Sequence, residues 1–491
     1  MDHLFVMRLS SILLMTCCLL STPLLLLSKP AQASPWIEVD NGYLRQSLLT
    51  LANAGIIRAP VNTYPLPWRS IMADLDRVNV AQLSDDLRFA YRHVNHYLNL
   101  ARGDSQTVLQ LAAHSNDDSQ TLLGFGDQYH EKARLTIKRE IVTHQFAARL
   151  QVNRRNHPQE DDNNTTVDGS YVAGMLGQWV VSLDTLPLWW GPGQDSALLM
   201  SSNARPLPKI QLSQFRDKPI DFPVLSWLGP LNFTAFVGRM ENAYPIDDSY
   251  LWGARLSFRP HPAVEIGLNQ TEQFGGDKLT RMPGNNELVR ESIDSNRLAS
   301  ADIRISLPAW HGNTAIYGEV ATDNSDSLSS GNAWLAGTEW QLGSRDYHLT
   351  WFFEISDSQA KCVDSQSQAG NCFYEHEDYE QGYRRFGRAI GSTYDTDSKA
   401  HVMGLRWYDA SGAGWSLKLR KINFNRDDSQ PLLGGHPYYD RATERKQIDL
   451  SRRQPLFGGL LNISVQAYQE QDARQQYDTE YSAYAQWEWR F

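Results

Sequence analysis

The stretch with the most unusual chemistry is Leu188-Trp189-Trp190-Gly191-Pro192-Gly193-Gln194-Asp195. Two indoles followed by Gly-Pro-Gly suit neither a strand nor a helix. Sugar rings have apolar C–H faces and hydroxyl edges. Trp189 and Trp190 could stack on the faces while Asp195, Asn203 and Arg205 hydrogen-bond the hydroxyls. The same indoles could instead pack inside the fold and fix the shape of a loop, and the local sequence leaves both readings open.

Other reactive residues point to less. Glu375-His376-Glu377-Asp378 has oxygen ligands suited to Ca²⁺, but such a run, like Glu160-Asp161-Asp162, reads first as a solvated loop. His93 and His96 lie one helical turn apart without a third zinc ligand and read as surface histidines. Gly-x-Ser-x-Gly, His-Glu-x-x-His and phosphate-loop motifs do not occur. No pair of carboxylates stands out for glycosidase work among so many acids. The expectation is therefore no enzyme, no cofactor and no metal.

The elements that must carry these residues are strands. In Tyr481-Ser-Ala-Tyr-Ala-Gln-Trp-Glu-Trp-Arg-Phe491, residues Tyr481, Ala483, Ala485, Trp487, Trp489 and Phe491 fall on one face. Ser482, Tyr484, Gln486, Glu488 and Arg490 fall on the other, which predicts a strand with one apolar and one polar face. A strand ending on Phe491, with Trp487 and Trp489 on the same side, resembles the closing strand of bacterial outer-membrane barrels and reads as a membrane-assembly signal. From Thr107 onward about eighteen runs alternate in the same way, including Leu231-Asn-Phe-Thr-Ala-Phe-Val237 and Trp252-Gly-Ala-Arg-Leu-Ser-Phe258. Many approach the ~9–11 residues of a tilted membrane strand.

The connections sort by parity. With the C-terminus in the periplasm, the links at Arg453–Pro455, Asp409–Ala413, Gly343–Asp346, Pro308–Gly312, Arg259–Pro262 and Gly177 are tight. Those at 470–478, 424–444, 358–399, 323–332, 272–298, 240–249, 187–206 and 154–169 are mostly long, polar and external. Link 216–229 is the exception, long on the short side. A soluble sandwich has no reason to sort its loops this way, whereas a membrane barrel does. The expected fold is all-β: a closed transmembrane antiparallel barrel of about 18 strands over 105–491. A small helical subdomain at 34–104 precedes it and lies in the periplasm. Asp40 and Asn41 cap its first helix, which carries Leu44, Leu48, Leu49 and Leu51 and ends at Gly55; Ile71, Met72 and Leu75 suggest a second, and Ser84-Asp85-Asp86 starts a third.

Composition agrees. The 491 residues include 15 Trp and 21 Tyr, mean hydropathy is −0.46, and no stretch after residue 33 supplies the ~20 apolar residues of a membrane helix. Arg8, the apolar run Ile12 to Leu27 and Ala31-Gln32-Ala33 form a secretory signal over 1–33, leaving mature Ser34. Cys17 and Cys18 leave with it. Lys plus Arg then falls from 46 to 44 and Asp plus Glu from 56 to 55, a net charge of about −11. So acidic an exported protein is a poor nucleic-acid binder. Cys362 and Cys372, an isolated pair in an exported chain, read as one disulfide rather than a metal site.

Gln178-Trp179, Leu188-Trp-Trp-Gly-Pro-Gly193, Ala204-Arg-Pro206, Trp227-Leu-Gly-Pro230 and Gln273-Phe-Gly-Gly276 occur in the order and rough spacing of the Wzi family of outer-membrane capsule-assembly proteins. The chain resembles that family most closely over 178–276 and in architecture elsewhere. The resemblance implies a closed outer-membrane barrel with a periplasmic helical bundle, acting as a lectin-like protein that helps retain capsular polysaccharide at the surface. It brings no catalytic residues. The expected partners are surface polysaccharide, outer-membrane lipids and the barrel assembly machinery, with the protein a monomer. The alternative is a diffusion porin or solute channel, which requires an open, charged lumen; a polysaccharide-binding module predicts a blocked one.

Overall fold

A computed structural model describes residues 34–491 except 104, 116–120, 128–130, 159–162, 217–224, 241–248, 277, 282–287, 292–293, 310–311, 324–331, 361–372, 429–435 and 473–476. The signal segment 1–33, the Glu160-Asp161-Asp162 run and the Cys362–Cys372 pair lie outside the described residues.

Three helices open the described chain: α1 (Gly42–Asn53), α2 (Trp68–Leu75) and α3 (Asp85–Ala101). The Asn41 side chain caps α1 by accepting the Leu44 N–H at 3.0 Å, and Gly55 follows its end at φ +71°. Leu44, Leu48 and Leu51 pack with Ile71, Leu75, Val94 and Leu98 of the other two helices.

Eighteen long strands follow. They are β1 (Ser105–His114), β2 (Glu131–Val142), β3 (Phe146–Pro158), β4 (Tyr171–Leu176), β5 (Trp179–Asp184) and β6 (Lys209–Arg216). Next come β7 (Leu231–Arg239), β8 (Tyr250–His261), β9 (Val264–Phe274), β10 (Asn296–Ala309), β11 (Gly312–Asp323) and β12 (Ala333–Gly343). The last six are β13 (Tyr347–Asp357), β14 (Lys399–Asp409), β15 (Gly414–Phe424), β16 (Thr443–Leu456), β17 (Gly459–Asp472) and β18 (Tyr477–Arg490). Each pairs antiparallel with its neighbours, and β18 returns to β1 with Tyr484 opposite His114 and Arg490 opposite Val108, closing the barrel.

The wall is inverted relative to a soluble protein. On β16, Ile448 and Leu450 point out and are 45% and 44% exposed, while Arg445 and Gln447 point in and are buried. On β18, Ser482, Tyr484 and Glu488 are buried and Tyr481 and Ala483 exposed, the alternation expected of that strand. Apolar groups face outward because lipid surrounds them, and polar groups face a lumen that must satisfy them.

The loop parity is present as tight links at one end and long ones at the other. Some tight links shift: β8 runs on through Arg259 to His261, which pairs with Val264, and β10 runs through Pro308 to Ala309. β16 runs on through Arg453–Pro455 to Leu456, and the turn is Phe457-Gly458. Both have positive φ, +48° and +72°, the geometry of a two-residue hairpin turn. Link 216–229 is long at the short-turn end and carries a 3₁₀ turn, Ser226–Leu228.

Candidate functional site

The lumen is entered from both ends. From the short-turn end, α1 enters the barrel mouth and is buried on nearly every side. Its leucine face meets the other helices. Its polar face meets the wall: Ser47 Oγ hydrogen-bonds Tyr408, Thr50 Oγ1 bonds His348 Nε2 at 2.9 Å, and Asn53 Oδ1 accepts from Ser306 at 2.8 Å. The helical segment is thus partly a plug, because its polar stripe matches the polar inner face of the wall. His93 is no surface residue: Ser47 Oγ lies 2.7 Å from its Nδ1 and its ring packs on Tyr408. Burial holds its imidazole well below the usual histidine range.

From the long-loop end, residues 187–206 turn inward rather than outward as an external loop. Trp189 and Trp190 pair antiparallel with Tyr64 and Thr63, downstream of α1. Both indoles are fully buried. Trp189 packs edge-on against Phe125 at 5.3 Å, and Trp190 packs tilted against Phe236 at 5.7 Å. Neither presents a face to a sugar in this arrangement. The Gly-Pro-Gly turn has a steric cause. Gly191 sits at φ +130°, and a Cβ on Gly193 would lie 2.0 Å from the Ser196 carbonyl oxygen.

A buried loop must satisfy its backbone polar groups, and here carboxyl and guanidinium side chains do so. Glu354 of β13 accepts the N–H groups of Gln194, Asp195 and Ser196 at 2.6, 3.1 and 3.0 Å. Glu319 of β11 accepts Leu198 N–H at 3.1 Å, and Glu265 of β9 accepts those of Val61 and Asn62 at 2.9–3.1 Å. Arg45 of α1 donates to the Gly193 and Gly191 carbonyls at 2.8 and 3.3 Å, with its guanidinium 4.1 Å from the Phe125 ring centroid.

The five predicted sugar contacts share this loop but do not converge. Asp195 is fully buried against β15, accepting Arg420 Nε and Nη2 at 2.7 Å each, with Lys418 Nζ at 3.0 Å and Tyr394 Oη at 2.5 Å. Burial alone would raise its carboxyl, but Arg420 and Lys418 hold it well below the usual carboxylate range. Asn203 lies beneath segment 373–398, receiving Arg388 Nη2 at 2.7 Å. Arg205 is paired with Asp168 at 2.8 Å and stacks over Phe386. The indoles mark the inner end of the loop, and Asn203 and Arg205 the outer end.

Segment 373–398 closes the long-loop end as a cap. Its outer side presents Gly387 and, from the neighbouring link, Tyr438, which donates its hydroxyl to the Gly387 carbonyl and stays 40% exposed; the half-buried Arg388 beside Gly387 turns its guanidinium inward to the Asn203 and Thr121 carbonyls. Sequence reasoning missed Tyr438 and Arg388, which have no distinguishing neighbours in the chain. It also missed the inward charges, although Lys418 and Arg420, on either side of Leu419, carried the signal. In the acidic run, Glu375 pairs with Arg384 at 2.6 Å and Asp378 accepts the Asp294 N–H. Among the described residues no cluster has the makings of a metal site.

The family described as capsule assembly protein Wzi matches residues 102–481. A solved structure of Wzi from Escherichia coli, an outer-membrane protein involved in group 1 capsule assembly and a carbohydrate-binding β-barrel, superposes with a TM-score of 0.78 at 21% identity, covering 92% of this chain and 98% of that one. An uncharacterized 55.8 kDa protein in the cps region of Klebsiella pneumoniae is 24% identical over 347 residues, 68% of each chain. With most of its length matched by that family, this closed, plugged barrel belongs to the Wzi capsule-assembly family.

Proposed function

We propose that this protein is a non-enzymatic outer-membrane barrel that binds or organises capsular or other extracellular polysaccharide at the cell surface, a lectin-like part of capsule assembly and retention. The observation that carries the reading is the lumen: α1, loop 187–206 and cap 373–398 occupy it and are clamped by buried charge. An obstructed barrel suits a binding platform, whereas a diffusion porin needs an open path. The inward charges of the loop engage one another or backbone groups, an arrangement that supports holding rather than catalysis. In this reading residues 1–33 direct export, 34–104 face the periplasm, 105–491 span the membrane, and the barrel assembly machinery inserts a monomer.

Trp189 and Trp190 then hold the loop that supports the polymer-binding surface, with Asp195, Asn203 and Arg205 fixing its position. The surface itself is the outer side of the cap, with the Tyr438 ring as stacking platform and Arg388 fixing the cap beneath it through Asn203 and Thr121. One aromatic–sugar contact contributes on the order of 1 kcal/mol beyond area burial, and a repeating polymer adds many weak contacts into firm retention.

The test measures the ratio of cell-bound to released polysaccharide in cells lacking the native copy. Tyr438→Ala with Arg388→Gln should reach the outer membrane and shed polymer. Trp189→Ala with Trp190→Ala should shed it too and expose the loop to protease, since truncating a buried Trp costs about 3–5 kcal/mol. Normal retention by both assembled variants would sink the reading, and large ionic currents through the native protein would favour the porin.

A further inference from the structure

The outer face of β14, β15 and β16 is ordered in rows set by strand register. Nearest the long-loop end lie Lys399, Asn423 and Glu444, directly opposite one another across the three strands. The next row is His401, Lys421 and Lys446. Below it come Met403, Leu419 and Ile448, and then Leu405, Leu417 and Leu450. The alternation fixes their direction: Val402, Arg420, Ile422 and Arg445, between them in sequence, are buried inside. The Lys421 and Lys446 side chains are 52% and 61% exposed.

Two lysines face each other across a strand pair, an arrangement that is unfavourable on its own. Elsewhere on the rim opposite charges meet: Glu272 of β9 stands directly across from Arg297 of β10, 3.5 Å apart. Here one carboxylate, Glu444, serves both Lys421 and Lys446, at 3.0 and 3.1 Å. One more, Asp357, serves both Lys399 and Arg426, at 3.5 and 3.0 Å. Arg426 also lies beside Asp397, so among the described residues of these rows three lysines, Lys399, Lys421 and Lys446, meet two carboxylates, and the patch keeps an excess of positive charge at the upper border of the apolar band. Three adjacent strands spread it over about 10 Å.

We infer that this face binds a phosphate-bearing lipid of the outer leaflet, its phosphate on Lys421 and Lys446 and its acyl chains on the Met403–Leu419–Ile448 and Leu405–Leu417–Leu450 rows. What covers the patch must be an amphiphile, because the charge and the apolar rows are continuous on one outward surface. An acidic polymer would satisfy the lysines and leave the rows beneath bare. The inference rests on the outer-membrane orientation proposed above and is independent of the polysaccharide surface, which lies on the cap.

The test uses the full mature chain folded in neutral detergent, with native mass spectrometry reading bound lipid. The probes are a bis-phosphorylated glycolipid, the same lipid with both phosphates removed, and an acidic oligosaccharide without acyl chains. The native protein should prefer the phosphorylated lipid, and Lys421→Gln with Lys446→Gln should weaken that binding roughly 30-fold. Lys421→Arg with Lys446→Arg should keep it. Heat-modifiable migration verifies the barrel in each variant. Equal lipid binding by the native and Gln proteins would overturn the inference, as would equal binding of the dephosphorylated lipid. Displacement of the lipid by the oligosaccharide would overturn it as well and make the patch a polymer contact. Normal polysaccharide retention by the Gln variant is expected, so a failure here is separable from a failure of the proposed function.

Discussion

Changing Asp195 to Asn should undock loop 187–206 while leaving the barrel standing. The substitution keeps the side chain's size and removes its charge. In the native chain that carboxylate is fully buried between Arg420 and Lys418 of β15, at 2.7 and 3.0 Å. Breaking a buried ion pair by removing one partner costs about 3–5 kcal/mol, because the other charge is left uncompensated. Both cations keep a second partner, Asp449 for Arg420 and Asp127 for Lys418, so the low end, about 3 kcal/mol, applies. The loss falls on loop docking, since Asp195 is on the loop and its partners on the wall. It shifts the docked-to-undocked ratio by roughly 150-fold. The carboxyl is held below its unfolded value, so its contribution is fully present above about pH 4 and fades only as pH falls through the lower folded value. Experiments at pH 7 therefore test the charged clamp. Limited proteolysis within 187–206 and current across a planar bilayer should both rise in the variant, with heat-modifiable migration unchanged. An assembled Asn variant as protected and as closed as the native protein would refute the clamp.

Two further predictions concern assembly and the longest loop. Deleting Phe491, or changing Trp489 to Asp, should lower the heat-modifiable protein recovered in outer membranes, since Trp487, Trp489 and Phe491 share the outward face of the closing strand; a charge there costs up to about 1 kcal/mol near an interface and ~2–4 at mid-bilayer for a basic group, less for an acidic one. Cys362 and Cys372 should resist alkylation without reductant and take two labels after it; removing the bond forfeits about 2–3 kcal/mol of loop-closure entropy and should loosen the loop with the barrel intact.

The sequence alone determined the wall. Period-two alternation requires only that one strand face meet lipid and the other a polar interior, and each residue's place in its own strand decides which. The final strand could therefore be read correctly from eleven residues, and loop parity followed from strand count. The caps of the helical segment were also local: Asn41 and Gly55 act within a few residues of themselves. The tertiary structure alone decided where the loops and α1 go. Leu188-Trp-Trp-Gly-Pro-Gly193 is compatible with an exposed sugar platform or a buried anchor. The choice rests on Tyr64, Phe125, Phe236 and Glu354, which lie some 40 to 160 positions away in the chain. Asp195 could be recognised as a clamp only once closure had put Arg420 and Lys418 beside it. Tyr438 and Gly387 meet on one surface from two separate loops. Such groupings depend on register and closure of the whole barrel, and no local pattern in the chain encodes them.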